Sequence, residues 1–467
     1  MAFYTGLTVG LGLYAPQLAF FWGIFGPAAI TLWLVLAFWL GLFLLTLHGV
    51  DRYWGSGWAT GLAPVLWLGT EFFRSELYYL RFAWFTAGSV PPTSVTGPFL
   101  PWLGVYGLGA VMMALAALGV LAIETARIGD GRHRPVAVLT VLGVGLVATA
   151  AWLLPRCSIH EPTSRALAGA SLDDAGSAAA LPHAARASMR VTGVQLETPK
   201  VAQVIEALTA AQPQAPDTPL WVLSEYAFDG PVPDAVRAWC REQPRWLVAG
   251  GKDPLEGGGF RNTAFVVSTN GEVVFKQAKA VPIQFFQDGL PAADQRVWES
   301  PWGRLGICVC YDLNYARVVD GLIRQGARAL LVPTMDVESW GVHEHQLNAR
   351  LAPVRAAEYD VPILRVASSG ISQLIRSDGS VVARGSIPGQ GEVIAGTLTW
   401  PGLRAPGIPL DRGAGPVATV ATAGILLGVA WTARRRAAVG PPALTHLTPS
   451  RATADSPECS APSSTCC

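Results

Sequence analysis

Residues 306–314 read GICVCYDLN: a short apolar run carrying two thiols one residue apart, then at once an aromatic residue and an acid. The run into it, "RLGICVC", is strand-like in composition, and "YDLN" ends it. Residues two apart on a strand share a face, so strand geometry alone leaves Cys308 and Cys310 as equal candidates for a reactive thiol. A buried strand cysteine is ordinarily a small hydrophobe. It becomes a nucleophile only as the thiolate, which requires a nearby base or cation.

Working outward, similar runs recur through 189–400: "MRVTGVQL", "LWVLSE", "RWLVAGG", "TAFVVS", "ARALLVP" and "VPILRVAS" alternate with helical stretches. The turns "STNGEVVF" and "RSDGSVVA" set Asn-Gly and Asp-Gly between strand-like runs, the signal for a hairpin. This region reads as an α/β domain. Glu225 in "WVLSEYAF" and Lys276 and Lys279 in "VVFKQAKAVPIQFF" also lie at or just after apparent strands. A carboxylate can take a thiol proton, and an ammonium can hold the oxyanion formed when a thiolate attacks a carbonyl.

The rest of the chain is of a different character. Charged residues make up 14% of the sequence, against roughly 25% in ordinary soluble proteins, and the first 50 residues contain no Asp, Glu, Lys or Arg. With about 20 apolar residues needed per crossing, residues 1–156 are expected to form a membrane domain of about five helices, near 5–22, 27–48, 57–75, 103–123 and 135–154. A signal peptide is not expected, since neither a basic start nor a small-residue cleavage site is present. A flexible Ala/Ser/Gly-rich linker is expected at 157–188, a final span at 414–433, and a disordered cytoplasmic tail at 434–467. Basic clusters at Arg127, Arg132 and Arg134 and at Arg434–Arg436 mark the cytoplasmic side, which puts 189–400 outside the cytoplasm.

With 34 basic against 33 acidic residues, the chain has no electrostatic reason to take nucleic acid as a partner. The cysteines number seven, an odd count without framework spacing, and neither a paired CxxC nor an HExxH occurs. No metal and no cofactor are expected.

The ordered set "SEYA", "K…VP" and "CYD" resembles the Glu-Lys-Cys triad of the nitrilase (carbon–nitrogen hydrolase) superfamily. "WLGTEFFRSELYYLRFAWFTAG", "LGVYGLGA", "RAAEYDVPILRVASSGISQLIRSDGSVV" and the last single span are similar to the apolipoprotein N-acyltransferase family. The resemblance covers roughly 57–432. It implies an αββα sandwich attached to a polytopic helical membrane domain. It selects Cys310, which precedes an aromatic-acid pair, over Cys308, and it makes Glu225 the base. The family's K-x-x-L-V-P puts Gln277 at the lysine position, so Lys279 is preferred and Lys276 remains the alternative. The family's Phe-Gly-Glu is replaced by "IQFFQDG". Tyr226, Tyr311, Trp340 and Glu358 are expected to contact substrate, with Glu358 bracing the site; Glu71 and Arg74 are expected to pair near a lipid-entry mouth; His343 and His345 flank Glu344 at a helix start. The implied activity is transfer of a fatty acyl chain from a phospholipid, through a cysteine thioester, to the N-terminal amine of a diacylglyceryl-modified apolipoprotein, in a bacterial inner membrane with the catalytic domain periplasmic. The alternative is a membrane-tethered amidase that passes the thioester to water.

Overall fold

The computed structural model describes residues 1–128, 188–386, 391–400 and 407–439. The expected span at 135–154, most of the 157–188 linker and the tail beyond Val439 lie outside the described residues.

Among the described residues, twelve strands form two six-stranded sheets. The first contains β1 (Ser188–Val194), β2 (Leu220–Leu223), β3 (Trp246–Pro254), β4 (Phe260–Val267), β5 (Val273–Ala278) and β12 (Val393–Thr399), in the order β12-β1-β2-β3-β4-β5. The second contains β6 (Trp298–Ser300), β7 (Gly303–Ile307), β8 (Ala329–Pro333), β9 (Ile363–Val366), β10 (Gln373–Ile375) and β11 (Val381–Arg384), running from β11 to β6 in reverse order. In each sheet three neighbouring strands are parallel and the outer ones antiparallel. Both expected hairpins form, with Gly271 and Gly379 supplying the positive φ their turns need.

The period-2 alternation of the strands decides the layering. On β2, Leu220 and Val222 point into the core between the sheets with Val191, Leu305, Ile307 and Leu331. Trp221 and Leu223 point the other way, under α6 (Val201–Ala211) and α7 (Asp234–Glu242). On the second sheet Leu330, Val332 and Ile363 pack beneath α8 (Ala316–Arg324) and α10 (Leu351–Tyr359), α9 (Val342–Ala349) lying just ahead of α10. The result is the expected αββα sandwich.

The membrane part comprises α1 (Ala2–Gln17), α2 (Phe20–Phe25), α3 (Ala28–Trp54), α4 (Ser56–Phe72), α5 (Leu100–Ile128) and the C-terminal α11 (Asp411–Val439). Among the described residues, three helices are long and apolar enough to cross a membrane: Ala28–Trp54, Leu100–Glu124 and Asp411–Ala438. The stretch expected as a first span is instead broken at Leu18 and Ala19 into α1 and the short α2. The third ends as a 17-residue helix followed by a π-turn at Phe73–Leu77. α11 continues through Arg434–Arg436, which were expected to begin the tail. Its 29 residues make a rod about 43 Å long. At its start Arg412 reaches Glu358 of the sandwich; at its end Arg436 donates to the Tyr53 carbonyl beside the end of α3.

Candidate active site

β2 ends at Leu223, and the chain then turns so that Glu225 lies inward. The following residue, Tyr226, takes a left-handed φ of 52°, an expensive conformation for a residue with a side chain. β3 passes close beneath this turn at Gly250, where a Cβ would lie 2.6 Å from the Glu225 Cα. Glu225 is 2% exposed, and its oxygens are fully engaged. Oε1 accepts from the Asn262 amide (2.5 Å) and the Lys279 ammonium (2.8 Å), and Oε2 accepts from the Met335 N–H (2.8 Å).

Lys279 is the first residue past β5, fixed by donation of its N–H to the Asn262 carbonyl at 2.8 Å. Its Nζ lies 2.8 Å from Glu225 and 2.7 Å from Asp288. An ammonium has three N–H donors, so one remains for a further partner. Lys276, the alternative, is half-exposed and pairs with Asp253 on β3 at 2.9 Å. Asp288 also accepts from Asn262 (2.7 Å) and from the Tyr226 hydroxyl (2.8 Å). This acid lies in "FFQDG" and brings a second carboxylate to Lys279.

β7 ends at Ile307, and Cys310 begins a 3-10 turn with φ +50°. Both thiols lie past the strand's end, and the turn that opens at Cys310 separates them. Cys308 packs in the outer core under α8 and α10, whereas Cys310 faces the space between the sheets. Asp312, the acid of "CYD", accepts the Ala280 N–H (3.0 Å) and the Val281 N–H (2.8 Å). The turn bearing the thiol is thereby clamped to the segment bearing Lys279.

The electrostatics follow from burial. Burial pushes the Glu225 carboxyl above the ordinary carboxylate range; Lys279 opposes this, Asp288 adds to it, and the Asn262 hydrogen bond opposes it. Burial pushes the Cys310 thiol well up, and the Glu225 charge adds to that while Lys279 works against it. Burial pulls Lys279 down, but Glu225, Asp288 and Cys310 outweigh it and keep it firmly cationic. The resting site therefore holds a neutral thiol beside a carboxylate of raised proton affinity and a fixed cation. Such a set can form a thiolate by proton transfer and stabilise an oxyanion.

Cys310 and Tyr311 open on a cleft whose empty space, open mouth included, is about 860 Å³. One wall is Phe20, Phe21, Ile24 and Phe25 of α2 with Leu32 and Leu36 of α3; another is Ile283–Phe286 with Trp340. Phe286 packs between Phe25, edge-on at a ring-centroid distance of 5.6 Å, and Trp340, tilted at 5.8 Å.

Residues 190–404 match the carbon–nitrogen hydrolase family model. This segment is a carbon–nitrogen hydrolase domain. The chain is similar to a protein named apolipoprotein N-acyltransferase from Nitrosomonas europaea, at 23% identity over 81% of this chain and 78% of that one. One of the same name from Sinorhizobium fredii is 29% identical over 38% of this chain and 40% of its own. Among solved structures, Saccharomyces cerevisiae Nit3 of the nitrilase superfamily aligns at 20% identity and a TM-score of 0.39, covering 45% of this chain and 90% of that one. The chain is a membrane protein that carries a domain matching the carbon–nitrogen hydrolase family over 190–404.

Within the hydrolase domain, Tyr311 and Trp340 line the cleft, but Tyr226 is turned away into the Asp288 network. Glu358 is not brought to the cleft at all. It is fully buried between the domain and the membrane helices, ion-paired with Arg355 and Arg412 (2.8 Å to the latter) and accepting the Val105 N–H of α5 at 3.0 Å. Its place on α10, facing α5 and α11, makes it a clamp between domains. Glu71 and Arg74 do not form an ion pair: Glu71 accepts the Ala87 N–H (2.7 Å) and Arg74 donates to the Phe85 carbonyl (3.0 Å), each tying down the loop after α4. His343 engages the Gln17 carbonyl and His345 the Val337 carbonyl. No group of His, Cys, Asp and Glu among the described residues is arranged to hold a metal ion.

Proposed function

We propose that the protein transfers a fatty acyl chain from a membrane phospholipid, through a thioester on Cys310, to the α-amine of a diacylglyceryl-modified N-terminal cysteine of an apolipoprotein. The observation that carries this reading is the cleft. Its wall is built from the aromatic and aliphatic side chains of α2 and α3, so an acyl chain can pass from the bilayer to the thiol without entering water. A soluble amide would gain nothing from such a wall. Similarity to proteins named apolipoprotein N-acyltransferase supports the same reading.

In the first half-reaction Glu225 takes the Cys310 proton. Its charge is then lost, and Lys279, no longer neutralised by two carboxylates, faces the sulfur and the developing oxyanion with its remaining N–H. The thiolate attacks the ester carbonyl, the C–O bond breaks, and the glycerol oxygen leaves with the proton held by Glu225. In the second, the acceptor amine attacks the thioester; the N–C bond forms, the C–S bond breaks, and the amine proton passes through Glu225 to the sulfur. Asn262 and Asp288 keep Glu225 and Lys279 in register throughout. The hydrolase domain lies at the opposite end of α11 from Arg434–Arg436, which supports a periplasmic site at an inner membrane; an engineered cysteine near residue 175 should accept an impermeant thiol reagent from that side.

The test is mass spectrometry of the full-length protein after exposure to phospholipid vesicles. An acyl thioester on Cys310, persistent in water and discharged by a diacylglyceryl-cysteinyl peptide, is expected. Steady release of free fatty acid at a rate indifferent to the peptide would replace the transferase by a hydrolase.

A further inference from the structure

The mechanism above leaves one buried acid of the cleft unused. Glu344, in the first turn of α9, lines the same cleft as Cys310, Tyr311, Trp340 and Asn348, yet is only 1% exposed. Neither of its carboxyl oxygens has a hydrogen-bond partner. The nearest basic atom is His345 Nε2 at 3.7 Å, and that nitrogen already engages the Val337 carbonyl at 3.0 Å. Asp336, close by, is satisfied by Arg365 and Asn348, each at 2.6 Å. Buried carboxyls are nearly always hydrogen-bonded, and one left bare costs free energy. A bare acid on the wall of a substrate cleft is explained if a substrate group completes it.

The two substrates of the proposed reaction present different chemistry there. The donor brings ester oxygens, which Lys279 serves, and a phosphate, which a carboxylate would repel and which the cleft's Arg81 suits. The acceptor brings a primary amine. Burial, with the Asp336 charge adding to it and Arg365 opposing, holds Glu344 well above the usual carboxylate range, which favours its neutral acid form. A neutral amine and a neutral acid can exchange a proton without adding net charge to the cleft, and the helix N-terminus favours the carboxylate that results.

Resting on the transferase reading, we infer that Glu344 is a specificity residue that receives the acceptor's primary amine and holds it beside the Cys310 thioester. The pair returns its proton to Glu344 as the amine attacks. The N–C bond forms, the C–S bond breaks, and the proton shed by the nitrogen goes to the sulfur through Glu225.

The experiment compares the two half-reactions in full-length wild type and Glu344→Gln, an isostere of the neutral acid. Thioester formation is followed with phospholipid vesicles, and discharge is followed against concentration of a diacylglyceryl-cysteinyl peptide with a free amine. Loss of a charge-assisted contact should slow discharge about tenfold to a hundredfold at low peptide, at least tenfold more than it slows thioester formation, with Glu344→Asp partly restoring it. Equal slowing of both half-reactions, or unchanged discharge, would overturn the inference while leaving the transferase reading intact. A wild-type thioester that the peptide does not discharge would overturn both. Wild type alone supplies a second measurement, independent of folding of the variants: an N-acetylated peptide should compete with the free amine at least tenfold more weakly than unlabelled free-amine peptide does, and equal competition would sink the assignment.

Discussion

Replacing Lys279 by alanine removes the one cation set between two buried carboxylates, Glu225 and Asp288, which are 2% and 5% exposed. Two effects follow. Removing one partner of a buried pair typically costs about 3–5 kcal/mol of stability, and here the two remaining acids also repel each other. Glu225, already raised by burial, loses the neighbour that most opposes that rise, so it is more often protonated and less able to take the thiol proton. Loss of an oxyanion donor alone slows turnover about 10²–10³-fold, and loss of the base adds to that. Thioester formation on Cys310, timed by intact-protein mass spectrometry on the fraction that remains folded in detergent, should therefore fall by at least about 10²-fold. Lys276→Ala is the control. Its half-exposed pair with Asp253 is worth at most about 1 kcal/mol, and its rate should stay within about twofold of wild type. A Lys279→Ala enzyme within tenfold of wild type, or equal losses at the two lysines, would refute the assignment.

Other substitutions probe separate parts of the same arrangement. Cys310→Ala should abolish the thioester, whereas Cys308→Ala should keep most of the rate and lower the melting temperature slightly, by the packing loss of a small buried side chain, about 1 kcal/mol; the reverse pattern would mean the wrong thiol has been chosen. Glu358→Gln should destabilise by about 3–5 kcal/mol by leaving buried Arg355 without its carboxylate partner, while Arg412 keeps Asp320 and Asp411, yet leave the rate per folded molecule nearly unchanged, and a large rate loss at unchanged melting temperature would show that Glu358 does reach substrate. Burial raises the Asp312 carboxyl from an ordinary 3.8 to about 6. A raised carboxyl favours the folded state in its protonated form, so the associated stability is present below pH 4 and is lost as pH rises through about 6. Relative to Asp312→Asn, the wild type should gain on the order of 3 kcal/mol as pH falls from 7 to 4, read as a melting-temperature difference in detergent; no change with pH would show that Asp312 does not carry this shift.

Local patterns were sufficient for much of this protein. Alternating apolar residues on β2, the Asn-Gly and Asp-Gly turns, and long uncharged runs such as 28–50 fix strands, hairpins and membrane helices through contacts within a few residues, and those are legible in a sequence. Motif order likewise picked out Glu225 and Cys310. What the sequence could not supply was convergence. Asp288 lies nine positions after Lys279 and 63 after Glu225, and only the packing of two sheets brings the three carboxylate and ammonium groups within hydrogen-bond distance. Packing supplies the physical difference between the two thiols: past the end of β7, a positive φ at Cys310 sets it on the cleft while Cys308 packs in the outer core. Glu358 was misread for the same reason, because an acid on a helix gives no sign of whether it faces a substrate or, as here, pairs with an arginine one turn away and with Arg412 from a distant part of the chain. Side-chain identity and short-range periodicity determine which elements form; which distant groups meet, and which surface of the bilayer helices walls the thiol, is decided only when the elements pack.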